Sequence, residues 1–252
     1  MPRIAFIVAN AQGAPSSPSA TAAAQGFSHF GYEISLVTRE ALKTAPLSAE
    51  TVVVGGVDTV LDALARLGIA PQHITLPVPL RGFACRRVWE STVGEVLESS
   101  DFPVFVKPLL DNKTFTGQVV TSPDALEALI LSRPNQPTLP SDFPLLCQEP
   151  VHFLSEWRCF VIRGAVVGTF HYRGHPLTFP DPATITACLS AYPDAPAGYS
   201  ADFGVLESGQ TALVELNDGY ALGHGGLIGS AYAELLRARW EELTHAKNAF
   251  IP

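Results

Sequence analysis

The chain has 252 residues, with 16 Lys+Arg against 24 Asp+Glu and a formal net charge of −8 at pH 7. Such a balance argues against a general nucleic-acid binder, whose affinity rests on many cations meeting phosphates. An apolar content of 47% supports a substantial core, while no run reaches the roughly 18 apolar residues of a membrane span. Only four lysines occur (Lys43, Lys107, Lys113 and Lys247), and two of them fall within seven residues of each other.

In chain order, Ile4 to Ala9 reads as a first strand. Arg3 and this short apolar run loosely imitate a secretory signal, but a strand followed by a polar turn accounts for them better. Cys85, Cys147, Cys159 and Cys188 show no CxxC pair or metal-ligand rhythm, so reduced thiols in a cytoplasmic protein are expected. A Pro/Ser/Ala-rich loop and a helix over Ala20 to Phe30 precede strands at Glu33 to Thr38 and Thr51 to Val54. A helix over Asp58 to Leu67 follows, with Val60, Leu61, Leu64 and Leu67 on one face. Residues 1–80 therefore read as a small wound β-α-β unit.

After the proline-bearing connection Pro71 to Pro79, Arg86 to Ser99 suggests a linking helix. Hairpin patterns then begin: a strand over Val104 to Lys107, a polar loop, and a strand over Phe115 to Thr121. Ser122-Pro123-Asp124 signals a helix start. That helix ends before the loop Pro134 to Pro144, whose four prolines oppose regular structure. Strands are expected at Leu145 to Glu149, Glu156 to Ile162 and Ala165 to Tyr172, then a hairpin over Ser200 to Asn217 and a helix over Ala231 to Glu242.

The last hairpin carries the clearest chemistry. A turn centred on Ser208-Gly209 sets Asp202 opposite Glu215 and Ser200 opposite Asn217. One face then holds Ser200, Asp202, Gly204, Glu215 and Asn217, and the other holds Ala201, Phe203, Val205, Ala212, Val214 and Leu216. Two carboxylates directly opposed on a sheet repel, so they ask for a cation or a shared proton between them. Asp, Glu and Asn oxygens suit Mg²⁺, which also takes phosphates and water; the alternative is a solvated face paired by accident. Lys107 ends its strand before Pro108, and Lys113 lies in the loop beyond, where two cations around free backbone amides could grip a polyphosphate. Glu156 and Arg158 share one strand face.

Other motifs fail. There is no GxxxxGK[ST], Gly223 to Gly229 misses GxGxxG by one position, and no GxSxG occurs. His171 and His175 have helical spacing, but Gly174 and Pro176 oppose a helix, which leaves a surface loop or a pocket border.

The order Lys107, Gln148-Glu149, Glu156, Arg158, Asp202-Phe203 and Glu215-Leu216-Asn217 resembles the ATP-grasp superfamily of carboxylate ligases. In detail it is most similar to the clade named for one arginine and two lysines, here Arg158, Lys107 and Lys113. The resemblance implies an α+β ATP-grasp fold: a pre-ATP-grasp unit over 1–80 and an ATP-grasp domain over 81–252. A lid subdomain would span about 101–155, and a metal- and phosphate-binding subdomain 156–252.

It further implies ATP and Mg²⁺, two ions being expected. Lys107 and Lys113 would bind phosphates, Gln148, Glu149 and Val151 adenine, and Glu156 the ribose. Arg158, with Lys113, would serve the transferred phosphoryl group, and Asp202, Glu215 and Asn217 the metal. The implied reaction joins a small-molecule or peptide carboxylate to an amine through an acyl phosphate. A kinase on the same fold and a non-catalytic nucleotide-binding module are the alternatives. Many members carry proline and glycine soon after the Asn, whereas this chain continues Asp218-Gly-Tyr-Ala-Leu-Gly-His-Gly-Gly226. Gly219, Tyr220 and His224 of that loop, with His171, are the candidates for substrate contact.

Overall fold

The computed structural model describes residues 3–72, 74–109, 114–131 and 138–245. Three sheets organise them. The first is parallel, in the order β2-β1-β3, from β1 (Ile4–Val8), β2 (Glu33–Val37) and β3 (Thr51–Val54). β1 and β3 are nearly continuous apolar runs and are buried along most of their length, as expected of strands covered on both faces. The crossover between β1 and β2 is α1 (Pro18–His29), which starts where Ser17 Oγ accepts a hydrogen bond from the Ala20 N–H. The short α2 (Arg39–Leu42) and then α3 (Val57–Arg66) flank β3, and α3 buries Val60, Ala63 and Leu64.

The second sheet has the order β4-β7-β5-β6. Its strands are β4 (Val88–Thr92), β5 (Val104–Pro108), β6 (Gln118–Val120) and β7 (Pro144–Gln148), with α4 (Val93–Glu98) and α5 (Pro123–Leu131) packed against it. The expected linking helix over Arg86 to Ser99 is thus half strand. The reason is local: Thr92 Oγ1 and Glu95 form a reciprocal capping box that starts the helix only at Val93, while β4 pairs antiparallel with β7. The second sheet accordingly begins at Val88. Pro144, expected in a loop, is the first residue of β7. Part of the preceding proline-rich segment, 132–137, lies outside the described residues.

The third sheet, β11-β10-β8-β9, is antiparallel throughout. It is built from β8 (Phe153–Ile162), β9 (Ala165–Gly174), β10 (Gly198–Leu206) and β11 (Thr211–Asp218). α6 (Pro182–Ser190) precedes β10, and α7 (Gly229–His245) follows the glycine loop. α6 is not among the elements expected from sequence, although Asp181 caps it and Pro182 opens it.

Odd-numbered residues of β8 and β10, including Cys159, Val161, Ala201 and Phe203, pack with Leu80 and Cys188. On the even-numbered face, Phe160 and Ile162 join one core with β1, β3, α1, α3 and α7. The N-terminal unit therefore shares its core with the last helix. They approach closely at Gly26 of α1, where a Cβ would collide with the Gly229 carbonyl oxygen. Gly26→Ala should lower stability by about 1–3 kcal/mol, the cost of overpacking a tight site. Gly56→Ala, where a Cβ meets nothing within 4 Å, should change it little; urea unfolding midpoints of the two variants check this.

Candidate functional site

The expected pairs around the carboxylates are present, Ser200 facing Asn217 and Asp202 facing Glu215, but the pairs nearer the turn, Gly204 with Ala212 and Val205 with Thr211, run one residue off the register that a turn centred on Ser208-Gly209 would give. Beyond Asp202 the register shifts, and Phe203 pairs with Leu213. Val214 is the extra residue of this bulge. Its insertion re-aims the strand, so Leu213 joins Phe203 in the core, and Val214, expected in that core, lines a cleft instead. Ala212, also expected there, pairs with Gly204.

The cation that two opposed carboxylates require is supplied by the protein, twice. Arg158 lies across from Asp202 on β8 and grips it with two bonds, Nε to Oδ1 at 2.8 Å and Nη2 to Oδ2 at 2.6 Å. Lys107 Nζ reaches from the second sheet to Glu215 Oε2 at 3.2 Å, and Arg158 Nη2 lies 3.9 Å from Glu215 Oε1. Burial opposes the charge on Glu215, but Lys107, the Asn217 amide and Arg158 outweigh it and hold the carboxyl below its ordinary value. Asp202, only 2% exposed, is pushed up by burial in spite of Arg158. Burial disfavours the charge on Arg158 too, yet its bonds to Asp202 raise its affinity for the proton above the ordinary value. The Arg158 guanidinium also sits 4.9 Å from the centre of the Tyr172 ring.

A cleft of about 450 Å³ opens beside this array. Lys107, Gln148, Glu215, Asn217 and Tyr220 line it, together with Phe115, Thr116 and Gly117 of the loop before β6. Its opposite wall is the connection from the N-terminal unit, including Gln72 and Thr75. Lys113 lies outside the described residues.

Glu156 shares the even-numbered face with Arg158 but is ion-paired with Arg173 at 3.5 Å, is raised above its ordinary value by burial, and does not line the cleft. Glu149 accepts the Arg87 N–H and Val151 lies between β7 and β8; neither lines the cleft. Gly219 packs so closely on Gly198 that a Cβ would strike its carbonyl. His224 bonds Ser19 of α1 through Nδ1 at 3.2 Å and through its own N–H at 3.1 Å, outside the cleft lining. His171 pairs with Trp157 and stacks edge-on against it at 5.2 Å, so it belongs to the odd-numbered face, away from Arg158. A bulge between Glu156 and Trp157 shifts the strand there and brings Tyr172 to Arg158 in its place.

Two residues that sequence reasoning missed hold the site together. Arg86 lines the cleft and donates to Gln148 Oε1 twice, at 2.9 and 2.8 Å, and to the carbonyls of Ala84, Leu213 and Val214. It thereby joins β7 to the carboxylate hairpin. Asp218 receives a two-bond grip from Arg239 of α7 at 2.7 and 2.6 Å and accepts the Tyr220 N–H, which anchors the strand end that carries Asn217. The doublet Arg86-Arg87 in a cation-poor chain was the available signal for the first; nothing local marked the second.

For a metal, Asp202 and Glu215 face each other across the β10-β11 ladder with Asn217 two residues along β11, and their side-chain oxygens match hard-cation chemistry. Among the described residues no three His, Cys, Asp or Glu cluster as a metal site, so an amide must complete the set. Both Asp202 oxygens bond Arg158, yet each carboxylate oxygen has two lone pairs, which leaves acceptor capacity for a cation. The donor set fits.

Comparison with known proteins agrees with this architecture. No curated protein sequence matches the chain. Among solved structures it is similar to a RimK domain ATP-grasp protein from Sphaerobacter thermophilus, with a TM-score of 0.59 and 16% identity over 96% of this chain and 99% of the other. It is similar also to D-alanine–D-alanine ligase from Bacillus anthracis, with a TM-score of 0.56 and 16% identity over 99% of each chain. The ATP-grasp ligase PsnB with its minimal precursor gives a TM-score of 0.59 and 14% identity over 95% of this chain and 100% of that one. The family model for the ATP-grasp domain of the one-arginine, two-lysine clade, family 2, matches residues 83–235. With more than half its length so matched, and with this fold, the chain belongs to that clade of the ATP-grasp superfamily.

Proposed function

We propose that the protein is an ATP- and Mg²⁺-dependent carboxylate-amine ligase that forms an amide or peptide bond and releases ADP and phosphate. The observation that carries this reading is the alternating array Lys107, Glu215, Arg158 and Asp202, gathered from two sheets, with Lys107 and Glu215 lining the cleft and Arg158 and Asp202 behind them. Among its structural relatives, the Bacillus anthracis ligase is known in complex with ATP, and PsnB with Mg and ADP. In this reading a substrate carboxylate oxygen attacks the γ-phosphorus and ADP leaves. An amine then attacks the resulting acyl phosphate carbon, phosphate departs, and the amine loses a proton.

The chain's own residues position charge for these steps, the main contribution a protein makes to phosphoryl transfer. Lys107 is assigned to the phosphates, with Lys113 as its proposed partner. Gln148 is the adenine contact, with its carbonyl fixed by Arg86 so that its amide N–H groups are free to donate into the cleft. Arg158 is assigned to the transferred group and Asp202, Glu215 and Asn217 to Mg²⁺, which when bound would neutralise phosphate charge. Glu149, Val151 and Glu156 would need a closer approach of the two sheets to touch nucleotide. Tyr220, which lines the cleft, is the proposed contact toward the carboxylate substrate, with Gly219 beside it in the chain and His224 outside the lining, and D-alanine ligase and PsnB suggest an amino acid or a peptide as that substrate. A cytoplasmic location accords with this chemistry, and no described helix is long and apolar enough to cross a membrane.

Lys107→Ala, Arg158→Ala and Glu215→Ala should each reduce ADP formation by on the order of 10²- to 10³-fold, with far-ultraviolet dichroism unchanged. Near-normal ADP production by any two of them would sink the assignment. ADP release that needs no amine would instead identify a kinase.

Because Arg158 and Lys107 already neutralise the carboxylates, Mg²⁺ alone should bind weakly. Phosphates that draw the two cations away should expose the carboxylates to the metal. Thermal unfolding should therefore show a larger rise with Mg²⁺ and a non-hydrolysable ATP analogue together than the sum of their separate effects; a joint stabilisation of about 2.7 kcal/mol corresponds to ligand at about 100 times Kd.

The Lys107–Glu215 pair also has a pH signature. A glutamate held below its ordinary 4.5 contributes stability that is present above that value and disappears as pH falls through the lowered one. Glu215→Gln should accordingly show a shallower loss of stability below about pH 4.5 than the wild type in urea titrations across the acid range.

A further inference from the structure

The face of β10 that carries Asp202 holds one group that the chemistry above leaves unused. Ser200 is 0% exposed, and its Oγ has no hydrogen-bond partner among the described residues. A buried hydroxyl left unpaired costs about 1–3 kcal/mol, and alanine would occupy the same place without that cost. A buried serine beside a site of opposed charges therefore calls for a partner that arrives with function.

Geometry narrows what that partner can be. Across the sheet, Ser200 stands directly opposite Asn217 on β11 and Phe160 on β8. Phe160 offers no polar atom, so Asn217 is the polar neighbour in that row. Along the strand, Asp202 is the next residue on the same face. As the structure stands, Asn217 Nδ2 donates to Glu215 Oε1 at 3.2 Å. That bond competes with cation binding, because a metal held by Glu215 and by Asn217 Oδ1 claims the Glu215 oxygens and turns both amide N–H groups away from itself. The displaced amide then needs an acceptor, and the Ser200 hydroxyl is the unfilled one across the strand.

We propose that Ser200 is a positioning residue for the metal ligand Asn217: its Oγ accepts the Asn217 Nδ2 proton when Oδ1 turns to the cation. The hydroxyl thus fixes the amide in its ligating orientation, the role that groups behind metal ligands commonly play. This rests on the reading of Asp202, Glu215 and Asn217 as the metal set, and it concerns a residue that touches neither nucleotide nor substrate.

The test compares wild type, Ser200→Ala and Ser200→Cys by calorimetric titration of Mn²⁺ in the presence of a non-hydrolysable ATP analogue, and by thermal unfolding without ligand. Ser200→Ala should unfold at the same temperature as wild type or higher, since it removes an unsatisfied hydroxyl. It should bind Mn²⁺ about 10- to 100-fold more weakly, with unchanged affinity for the analogue in the absence of metal. Ser200→Cys, similar in size but a poor acceptor, should match Ser200→Ala in metal affinity. Wild-type Mn²⁺ affinity in Ser200→Ala, or its restoration in Ser200→Cys, would overturn the role of Ser200 alone. Failure of the wild type to bind Mn²⁺ with the analogue would overturn the metal site and this role together.

Discussion

Charge that must be buried without being cancelled by water is the constraint on which this structure turns. Asp202 is almost wholly enclosed on a central strand, and Glu215 is directly opposite it. Two like charges so placed would be destabilising, and one buried ion left alone would cost several kcal/mol. Arg158 and Lys107 resolve this by alternating sign across the gap. The arrangement is costly as a purely structural device, since apolar residues of similar volume often do as well. Its retention at the edge of a cleft is intelligible if the same four groups exchange partners when polyphosphate and metal enter.

That exchange needs a frame that stays in place while the charges move. Arg86 provides one side of it by tying Gln148 of the second sheet to the carbonyls of Leu213 and Val214 in the third. Arg239 provides the other by gripping Asp218, the residue after Asn217, from α7. Both are arginines whose planar fork meets two acceptors at once, a geometry lysine cannot supply. The same α7 packs against α1 around Gly26 and shares the core of the N-terminal unit. The wall of the cleft formed by Gln72 and Thr75 is thereby held in register with the hairpin that carries the carboxylates.

Much of this is legible in the sequence, for reasons that can be named. A turn near Ser208-Gly209 and a period of two suffice to suggest Asp202 opposite Glu215 and Ser200 opposite Asn217, yet the pairs beside the turn lie one residue off that register and the bulge at Val214 restores it at the carboxylates. Lys107 can be placed near a strand end because of Pro108, although the strand runs through that proline, which pairs with Leu145. The bulge at Val214, which exchanges Leu213 for Val214 in the core, lies between the turn and the carboxylates, and a single inserted residue leaves no mark on an alternating apolar pattern. His171, expected in a surface loop or at a pocket border, instead lies in β9 paired with Trp157, and a bulge in the β8-β9 pairing brings Tyr172 to Arg158. The helix expected over Arg86 to Ser99 gives way to a strand in its first half because β4 exists only by pairing with β7, far along the chain.

What the sequence by itself determined is therefore the set of candidate groups and their immediate neighbours along each strand: the paired lysines in a cation-poor chain, the Asp, Glu and Asn of one hairpin face, and the order that marks an ATP-grasp domain. The tertiary structure decided which of them meet. Only folding could show that Lys107 reaches Glu215 across two sheets, that Arg158 closes on Asp202, and that Glu156 turns to Arg173 instead of the cleft. Only folding could raise Arg86, Asp218 and Ser200 to importance, because their significance lies in contacts or missing contacts between distant segments. Local propensity and periodicity act within a strand or a turn, whereas burial and pairing of charge are properties of the assembled fold.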